Sequence, residues 1–394
     1  MKEKRRFWSR LKSIALFGLL FIGIVFSGIA VFNTSLPKAS STPEELSLDE
    51  QHRIAEINHL RSTLGNRIWP GWGDLEIPVL LYNESHAFFT GSDSAITATG
   101  WTRIPYQTTF GSAWKPIDDD LSYFQQPLPG NGQTPQAFIV QVGEQLAASM
   151  TTKEWTQIKL VKLIKNDLPG FLKPIFPYQL FTNKFDSDWH IASVLHESFH
   201  VFQAQQNYTR FENAEKLNSL HDLYPWNNPD FRHQWVEERK LLAKALKEPN
   251  EDRAKSLVID WLTIRETRRT SLTEKLITYE KEREWLEGLA KYAEINAWRM
   301  ALDTASYTPL AVMNNDPDFN FYQNAEDNFS KELLQLQSDL GFSESMLYYS
   351  GWVQAELLDR FYPDWKDLAL QSDIYLEDLL RQQCIPLNCG ITLN

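Results

Sequence analysis

The amino-acid sequence predicts an α+β protein that is mostly helical, with a smaller β-containing N-terminal part behind one hydrophobic helix. Three observations lead to this prediction. Residues 13–32 contain no charged side chain, as in a single membrane-spanning helix. Residues 65–142 are rich in glycine, proline and short apolar runs, as in strands joined by turns. From about residue 151 onward, apolar residues recur at helical spacing.

The first 32 residues predict a membrane anchor. Six Lys and Arg residues and one acid, Glu3, precede the uncharged run. Twenty helical residues span about 30 Å, the thickness of the hydrocarbon core of a bilayer. Because positive flanks stay in the cytoplasm, we expect a cytoplasmic basic tail (1–12), a single-pass transmembrane helix in the cell membrane (13–32), and an extracytoplasmic C-terminal body. The alternative is a cleaved signal peptide, whose apolar core is usually shorter.

The composition of the body argues against some partners. Residues 33–394 carry 33 Lys and Arg residues against 50 Asp and Glu residues, a formal charge of −17. This charge argues against binding of nucleic acid and of anionic lipid by the body. Residues 33–48 are polar and rich in Pro and Ser. We expect them to form a linker that holds the body away from the membrane.

Two parts follow the linker. Residues 49–180 form the β-containing part, and residues 181–394 form a helical part. We expect the charge-rich segment 228–284 to be a solvated helical face. A capping box of Ser271 and Glu274 predicts the start of one long helix. The predicted strands are 77–82, 87–90 and 138–142, and the predicted helices are 45–64, 151–166, 186–206, 228–247, 251–268, 271–302, 344–361 and 376–382.

The helix predicted at 186–206 carries the strongest chemical signal. Asp186 offers a capping oxygen at its start. His196 and His200 are four residues apart and therefore project from one face, and Glu197 follows the first histidine. Two imidazoles at this spacing can hold one zinc ion, and the glutamate can take a proton from a water molecule that the ion activates. The alternative is a core helix with two hydrogen-bonded histidines.

A zinc ion held by two histidines needs a third protein ligand. Six residues after His200 stands Gln206 rather than a third histidine, so a glutamate from a later helix is the remaining route. Glu287 is followed by Gly288 and another small residue at position 290, which would allow a second helix to approach closely. Glu294 lies two turns further along and could orient a ligand histidine through its ring N–H. The alternative for Glu287 is an ordinary surface position.

These segments resemble the gluzincin metallopeptidases, the clan that contains thermolysin and the aminopeptidases. The resemblance rests on His196-Glu-Ser-Phe-His200 and on Glu287-Gly-Leu-Ala-Lys-Tyr-Ala-Glu294. It implies a zincin-like fold and zinc bound by His196, His200 and Glu287. It also implies that Glu197 acts as general base.

A third, shorter motif bears on the oxyanion. Tyr348-Tyr-Ser-Gly351 is similar to the aminopeptidase motif whose tyrosine stabilises the oxyanion. The resemblance implies this role for Tyr348, with the adjacent Tyr349 as the alternative.

The spacing between the motifs departs from those enzymes. The long stretch 201–286 separates His200 from Glu287, which predicts a helical insertion. The Gly-x-Met-Glu-Asn element that holds a free amine in aminopeptidases is absent from the sequence. We therefore expect a membrane-anchored zinc endopeptidase that acts on peptide or protein substrates. The alternatives are a non-catalytic binding or sensory ectodomain and a zinc hydrolase of a non-peptide envelope substrate.

Overall fold

The computed structural model describes residues 25–92, 99–105, 108–338 and 342–385. Residues 25–34 are helical. The strands are β1 (Val79–Tyr82), β2 (His86–Phe89), β3 (Thr99–Arg103), β4 (Thr109–Ala113), β5 (Lys115–Ile117), β6 (Tyr123–Pro127), β7 (Phe138–Val142) and β8 (Gln145–Thr151). The helices are α1 (Leu48–Ile68), α2 (Lys153–Asp167), α3 (Gln179–Thr182), α4 (Ser187–Gln206), α5 (Tyr208–Leu217), α6 (Pro229–Lys247), α7 (Glu251–Arg269), α8 (Glu274–Ala301), α9 (Ala325–Gln337), α10 (Ser345–Phe361), α11 (Trp365–Ala369) and α12 (Leu376–Cys384). Short 3-10 helices occupy Asn218–Leu223 and Ala311–Asn315.

The eight strands form one sheet in the order β4-β3-β7-β8-β1-β2-β6-β5. Only β1 and β8 pair in parallel among these strands. The sheet is partly closed, because the Ser112 N–H on β4 donates to Gln126 Oε1 on β6 across 2.6 Å. Strand β1 is buried on both faces of this sheet. Leu80 and Tyr82 belong to an apolar cluster between the strands on one face, and Val79 and Leu81 belong to the core shared with the helices on the other face.

Helix α4 lies between the sheet and the other central helices, packing against β8 on one side and α8 on the other. Its apolar stripe is fully buried, at Ile191, Val194, Leu195, Phe199 and Phe202. Trp69 packs edge-on against Phe199, Phe202 and Trp365, at 5.3, 6.5 and 5.1 Å between ring centroids. Aromatic burial of this kind fixes the position of α4 in the core.

The α+β prediction is confirmed, and the helix at 186–206 begins and ends within a residue of its predicted bounds. Asp186 is its N-cap, and the carboxylate accepts the Trp189 N–H at 2.8 Å. The capping box is wrong in detail. Thr273 caps α8 instead of Ser271, because the Thr273 hydroxyl accepts the Leu276 N–H. Sequence reasoning also missed β3 to β6, whose short runs are mostly polar, and it missed β8 (Gln145–Thr151).

The N-terminal predictions meet the structure only in part. Residues 1–24, which hold the predicted tail and most of the predicted anchor, lie outside the described residues. Within the described part of the chain, no helix combines the length and the hydropathy that crossing a bilayer requires. Residues 33–48, predicted as a linker, lie against the body. Ser40 hydrogen-bonds to Glu84, Ser41 hydrogen-bonds to Glu154, and Leu46 is in the core.

The prediction that 228–284 is a solvated face is wrong. Three arginines of α7 are buried together with four glutamates from neighbouring helices, and we call this group the buried ionic cluster. Arg265 bonds Glu238, Glu284 and Glu377, and Arg268 bonds Glu238 and Glu280. Helices α6 and α7 instead join α8 and α12 through these charges. The cluster comprises Arg265, Arg268, Arg269, Glu238, Glu280, Glu284 and Glu377.

Candidate metal centre

The three predicted ligands lie together in the structure. His196 and His200 project from α4, and α8 brings Glu287 to them although 86 residues, 201–286, intervene. Glu287 Oε2 is 3.3 Å from His196 Nε2 and 3.4 Å from His200 Nε2. One ligand atom from each residue lies within 4.8 Å of the others, and all three residues are buried.

The small residue beside Glu287 allows a close approach, but to a different helix than expected. A Cβ on Gly288 would lie 2.4 Å from the Gly351 Cα of α10. Gly288 therefore lets α10 meet α8 rather than bringing α8 to α4. The consequence for the site is that α10 is held beside Glu287, with Tyr348 one turn away from the contact.

Hydrogen bonds fix the tautomer of His200. Gln203 Nε2 donates to the Trp285 carbonyl across 3.0 Å, which turns Gln203 Oε1 towards His200. That oxygen is 2.9 Å from His200 Nδ1. Since the amide oxygen can only accept, Nδ1 carries the proton and Nε2 presents a lone pair towards Glu287. Sequence reasoning missed Gln203, although its position one turn after His200 is the signal that could have found it.

His196 is oriented in the same manner by a carboxylate. Its Nδ1 lies 3.0 Å from Glu294 Oε2, as the spacing of Glu294 from Glu287 suggested. Lys291 Nζ holds the other Glu294 oxygen at 2.8 Å. A carboxylate on Nδ1 is the usual outer partner of a metal-binding imidazole. Both imidazoles therefore turn Nε2 towards Glu287.

This donor set fits zinc. Two neutral imidazole nitrogens and one carboxylate oxygen are zinc ligands of a type that leaves a fourth position open. Ligand atoms about 2.0–2.1 Å from one ion at tetrahedral angles lie about 3.4 Å from each other. The two measured nitrogen–oxygen distances, 3.3 and 3.4 Å, match that separation.

The electrostatics of the centre favour a cation. Burial would raise the pKa of Glu287, but the charges of Arg283 and His200 hold this pKa well below its usual range. Arg283 Nη2 lies 2.7 Å from Glu287 Oε1. Burial would lower the pKa of His196, but hydrogen bonds to Glu287 and Glu294 raise it to about 10. Burial lowers the pKa of His200. The centre thus holds ionised carboxylates that attract positive charge in a largely desolvated place.

Glu197 lies beside this centre without joining the ligand cluster. Its side chain is part-buried, and Oε2 makes no hydrogen bond with any residue that the structure describes. Burial, reinforced by the charge of Glu287, raises the pKa of Glu197 well above its usual range. A raised pKa makes the carboxylate a stronger base, and the free oxygen leaves it able to accept a proton from a water molecule.

Of the two adjacent tyrosines, Tyr348 faces the centre. Its ring stacks on the His196 ring at 6.2 Å between centroids. Burial and the charge of Glu287 raise the pKa of Tyr348, so its hydroxyl stays protonated as a donor. Tyr349 lies instead by Lys291, whose Nζ is 5.9 Å from its ring centroid, and by Glu332.

A further charged layer, which sequence reasoning missed, surrounds Glu287. Arg283 Nε lies 2.7 Å from Glu344 Oε1, and Arg283 Nη1 lies 3.4 Å from Glu215 Oε1. Burial raises the pKa of Glu215 to about 7, although the positive charge of Arg283 acts to lower it. Spacing gave no signal for Glu215 or Glu344, because they come from α5 and from the residue before α10. The spacing of Arg283, four residues before Glu287 on one helix, is the sequence signal that could have indicated this ion pair.

Comparisons of the chain with protein-family models, with curated proteins and with solved structures give no match. The resemblance to gluzincins is therefore carried by the motif residues. The functional argument rests on the geometry of the cluster itself.

Proposed function

We propose that the protein is a membrane-anchored, extracytoplasmic, zinc-dependent peptidase. The observation that carries this proposal is the convergence of His196 Nε2 and His200 Nε2 on one Glu287 oxygen, at 3.3 and 3.4 Å. Contacts of the two Nδ1 atoms with Glu294 and Gln203 hold both rings in that orientation. Two histidines that served only as hydrogen-bonded core residues would not be expected to direct both Nε2 atoms at the same buried carboxylate oxygen.

Each residue of the centre has a chemical task in this proposal. Zinc, when bound, polarises a carbonyl group and lowers the pKa of water. Glu197 takes a proton from the attacking water and gives it to the leaving amine. Tyr348 donates its hydroxyl proton in a hydrogen bond to the oxygen that becomes negative during attack. His196, His200 and Glu287 hold the ion, and Glu294 and Gln203 hold the histidines.

The test of this proposal separates the ion from the chemistry. Glu197→Gln should keep about one zinc per chain and lose hydrolysis of unfolded protein by about 10²–10⁴-fold, because a general base contributes that much. His196→Ala should lose both zinc and hydrolysis. Zinc is measured by elemental analysis, and cleavage is measured with a fluorescent unfolded protein.

Glu237→Gln is the matched control, since Glu237 is a glutamate of α6 whose side chain is 45% exposed and pairs with Lys240. It should keep zinc and activity. If the zinc-replete wild type cleaves no peptide that Glu197→Gln leaves intact, the peptidase proposal fails. A binding module on this scaffold, or a hydrolase of another envelope substrate, is then the better account.

A further inference from the structure

The surface formed by residues 159–184 exposes apolar side chains that a water-facing surface normally avoids. It comprises the second half of α2, the following loop and α3, and we call it the lysine–apolar patch. Leu163 is 60% exposed, Phe171 75% and Leu180 66%. Of the fourteen large apolar side chains exposed among the described residues, four lie here and four lie in the helical segment 25–34. Exposure on this scale marks an interaction surface.

The patch is also basic within an acidic chain. It holds five lysines and one acid, Asp167, whereas the whole chain has a formal charge of −12. Lys165 Nζ lies 5.0 Å from the Tyr178 ring centroid, and Lys184 Nζ lies 5.9 Å from that of Phe181. Apolar and aromatic side chains mixed with lysine are characteristic of surfaces that bind at the boundary of an anionic bilayer. The lysines are Lys159, Lys162, Lys165, Lys173 and Lys184.

The patch is joined to the end of the predicted anchor. Asn33 Nδ2 donates to the Pro174 carbonyl at 2.8 Å and to the Phe176 carbonyl at 2.9 Å. Asn33 directly follows Phe32, the last residue of the uncharged run. One helical residue rises about 1.5 Å, so the 174–176 loop lies at the level where the anchor would leave the hydrocarbon core.

We propose that the lysine–apolar patch docks onto the surface of a bilayer that contains anionic lipid, beside the anchor. This proposal rests on the proposed membrane anchor. The patch supplies apolar side chains to the headgroup boundary and lysines to the lipid phosphates. The negative charge of the whole body, which argues against lipid binding, is thus overridden by a local positive surface.

Docking would also set the distance between the metal centre and the membrane. Helix α4 begins at Ser187, three residues after Lys184, and His196 is nine residues further along. Nine helical residues span about 14 Å. Three residues of chain add at most about 11 Å, so the centre is held within roughly 25 Å of the headgroups, and its substrates are peptide segments that lie close to the membrane surface.

The experiment measures contact between the patch and lipid in the full-length chain. Cys384→Ala and Cys389→Ser remove the native thiols, and Leu180→Cys adds one for an environment-sensitive fluorophore. The chain is reconstituted into phosphatidylglycerol vesicles that carry a headgroup-level spin-label quencher. Leu334→Cys is the matched control, since Leu334 is 62% exposed and lies on α9. We expect quenching at position 180 to exceed that at position 334 by at least about twofold.

A charge-reversed chain tests the role of lysine. Lys162→Glu, Lys165→Glu and Lys173→Glu together should abolish the extra quenching at position 180 while the chain still floats with the vesicles. The labelled Leu180→Cys chain with all its lysines intact should show weaker quenching in phosphatidylcholine vesicles than in phosphatidylglycerol vesicles.

Flotation and quenching together distinguish failure of the docking proposal from failure of the proposed anchor. Equal quenching at positions 180 and 334 in a chain that floats overturns the docking proposal and leaves the anchor standing. A chain that neither floats nor is quenched at position 180 overturns both. Zinc content and hydrolysis, measured on the same sample, report separately on the proposed peptidase.

Discussion

The contact between α8 and α10 offers a sharp test of how Tyr348 is positioned. A Cβ added at Gly351 would lie 2.2 Å from the Glu284 carbonyl oxygen and 2.8 Å from the Gly288 Cα. An ordinary contact begins at 3.4 Å, so Gly351→Ala must separate the two helices by about 1.2 Å. Both nearest atoms belong to backbone, and no side-chain rotation can relieve the clash.

The separation should impair catalysis without removing the ion. Tyr348 is on α10, whereas the three ligands are on α4 and α8. We therefore expect Gly351→Ala to retain zinc and to lose kcat/KM for peptide hydrolysis by about 10²-fold, because a misplacement of about 1 Å can cost that much. Overpacking of a core contact should also lower the free energy of unfolding by about 1–3 kcal/mol.

Zinc content, kcat/KM and the urea midpoint are measured on the same preparation. Gly130→Ala is the matched control, because a Cβ at Gly130 meets no atom within 4 Å. It should leave all three quantities unchanged. The reasoning is refuted if Gly351→Ala keeps full activity, or if its zinc content falls in parallel with its activity.

Three further predictions concern single side chains. Tyr348→Phe should lower kcat by about 10²–10³-fold with little change in KM, as for loss of an oxyanion donor, whereas Tyr349→Phe should not; equal effects would contradict the assignment. Gln203→Leu should weaken zinc binding by about 10–100-fold in a chelator competition, and unchanged affinity would remove its orienting role. Burial would raise the pKa of Glu280, but Arg268 and Arg269 hold it at about 2 against an ordinary 4.5. Because its pKa is lowered in the folded state, Glu280 contributes about 3 kcal/mol to the free energy of unfolding above pH 4.5, and this contribution is lost as the pH falls towards 2. Urea unfolding of wild type and of Glu280→Gln between pH 6 and pH 3 measures how much of this contribution is lost.

The ligand set could be predicted because its parts are local. His196 and His200 share a helical face by spacing alone, and the N-cap and apolar stripe identify that helix. Glu287 and Glu294 lie two turns apart on one face of one helix. Once Glu287 is assigned as a ligand, Glu294 is therefore expected near the same centre. Periodicity within a single segment was sufficient for the two histidines and for Glu294, whereas Glu287 was assigned from its small neighbours and from the resemblance to gluzincins.

The buried ionic cluster could not be predicted by the same reasoning. Charged residues on a helix are usually solvated, and the sequence of α7 gives no sign that Arg265 and Arg268 face inward. Their partners come from other helices, up to 112 residues away in the case of Glu377. Burial of such charges is tolerated only when every partner is present. That condition belongs to the tertiary structure and not to any window of sequence.

The separation of the metal ligands along the chain also has a consequence for folding. Contacts between residues far apart in sequence form slowly, because the intervening loop must first be ordered. The ribosome adds His196 and His200 within four residues of each other. Glu287 can join them only after α5, α6 and α7 have been made and folded. The growing chain therefore holds the two histidines without Glu287 while the 86 residues 201–286 are made. If the proposed peptidase function holds, the metal centre and therefore the activity would be complete only after α8 has packed against α4, so a shorter nascent chain would be inactive.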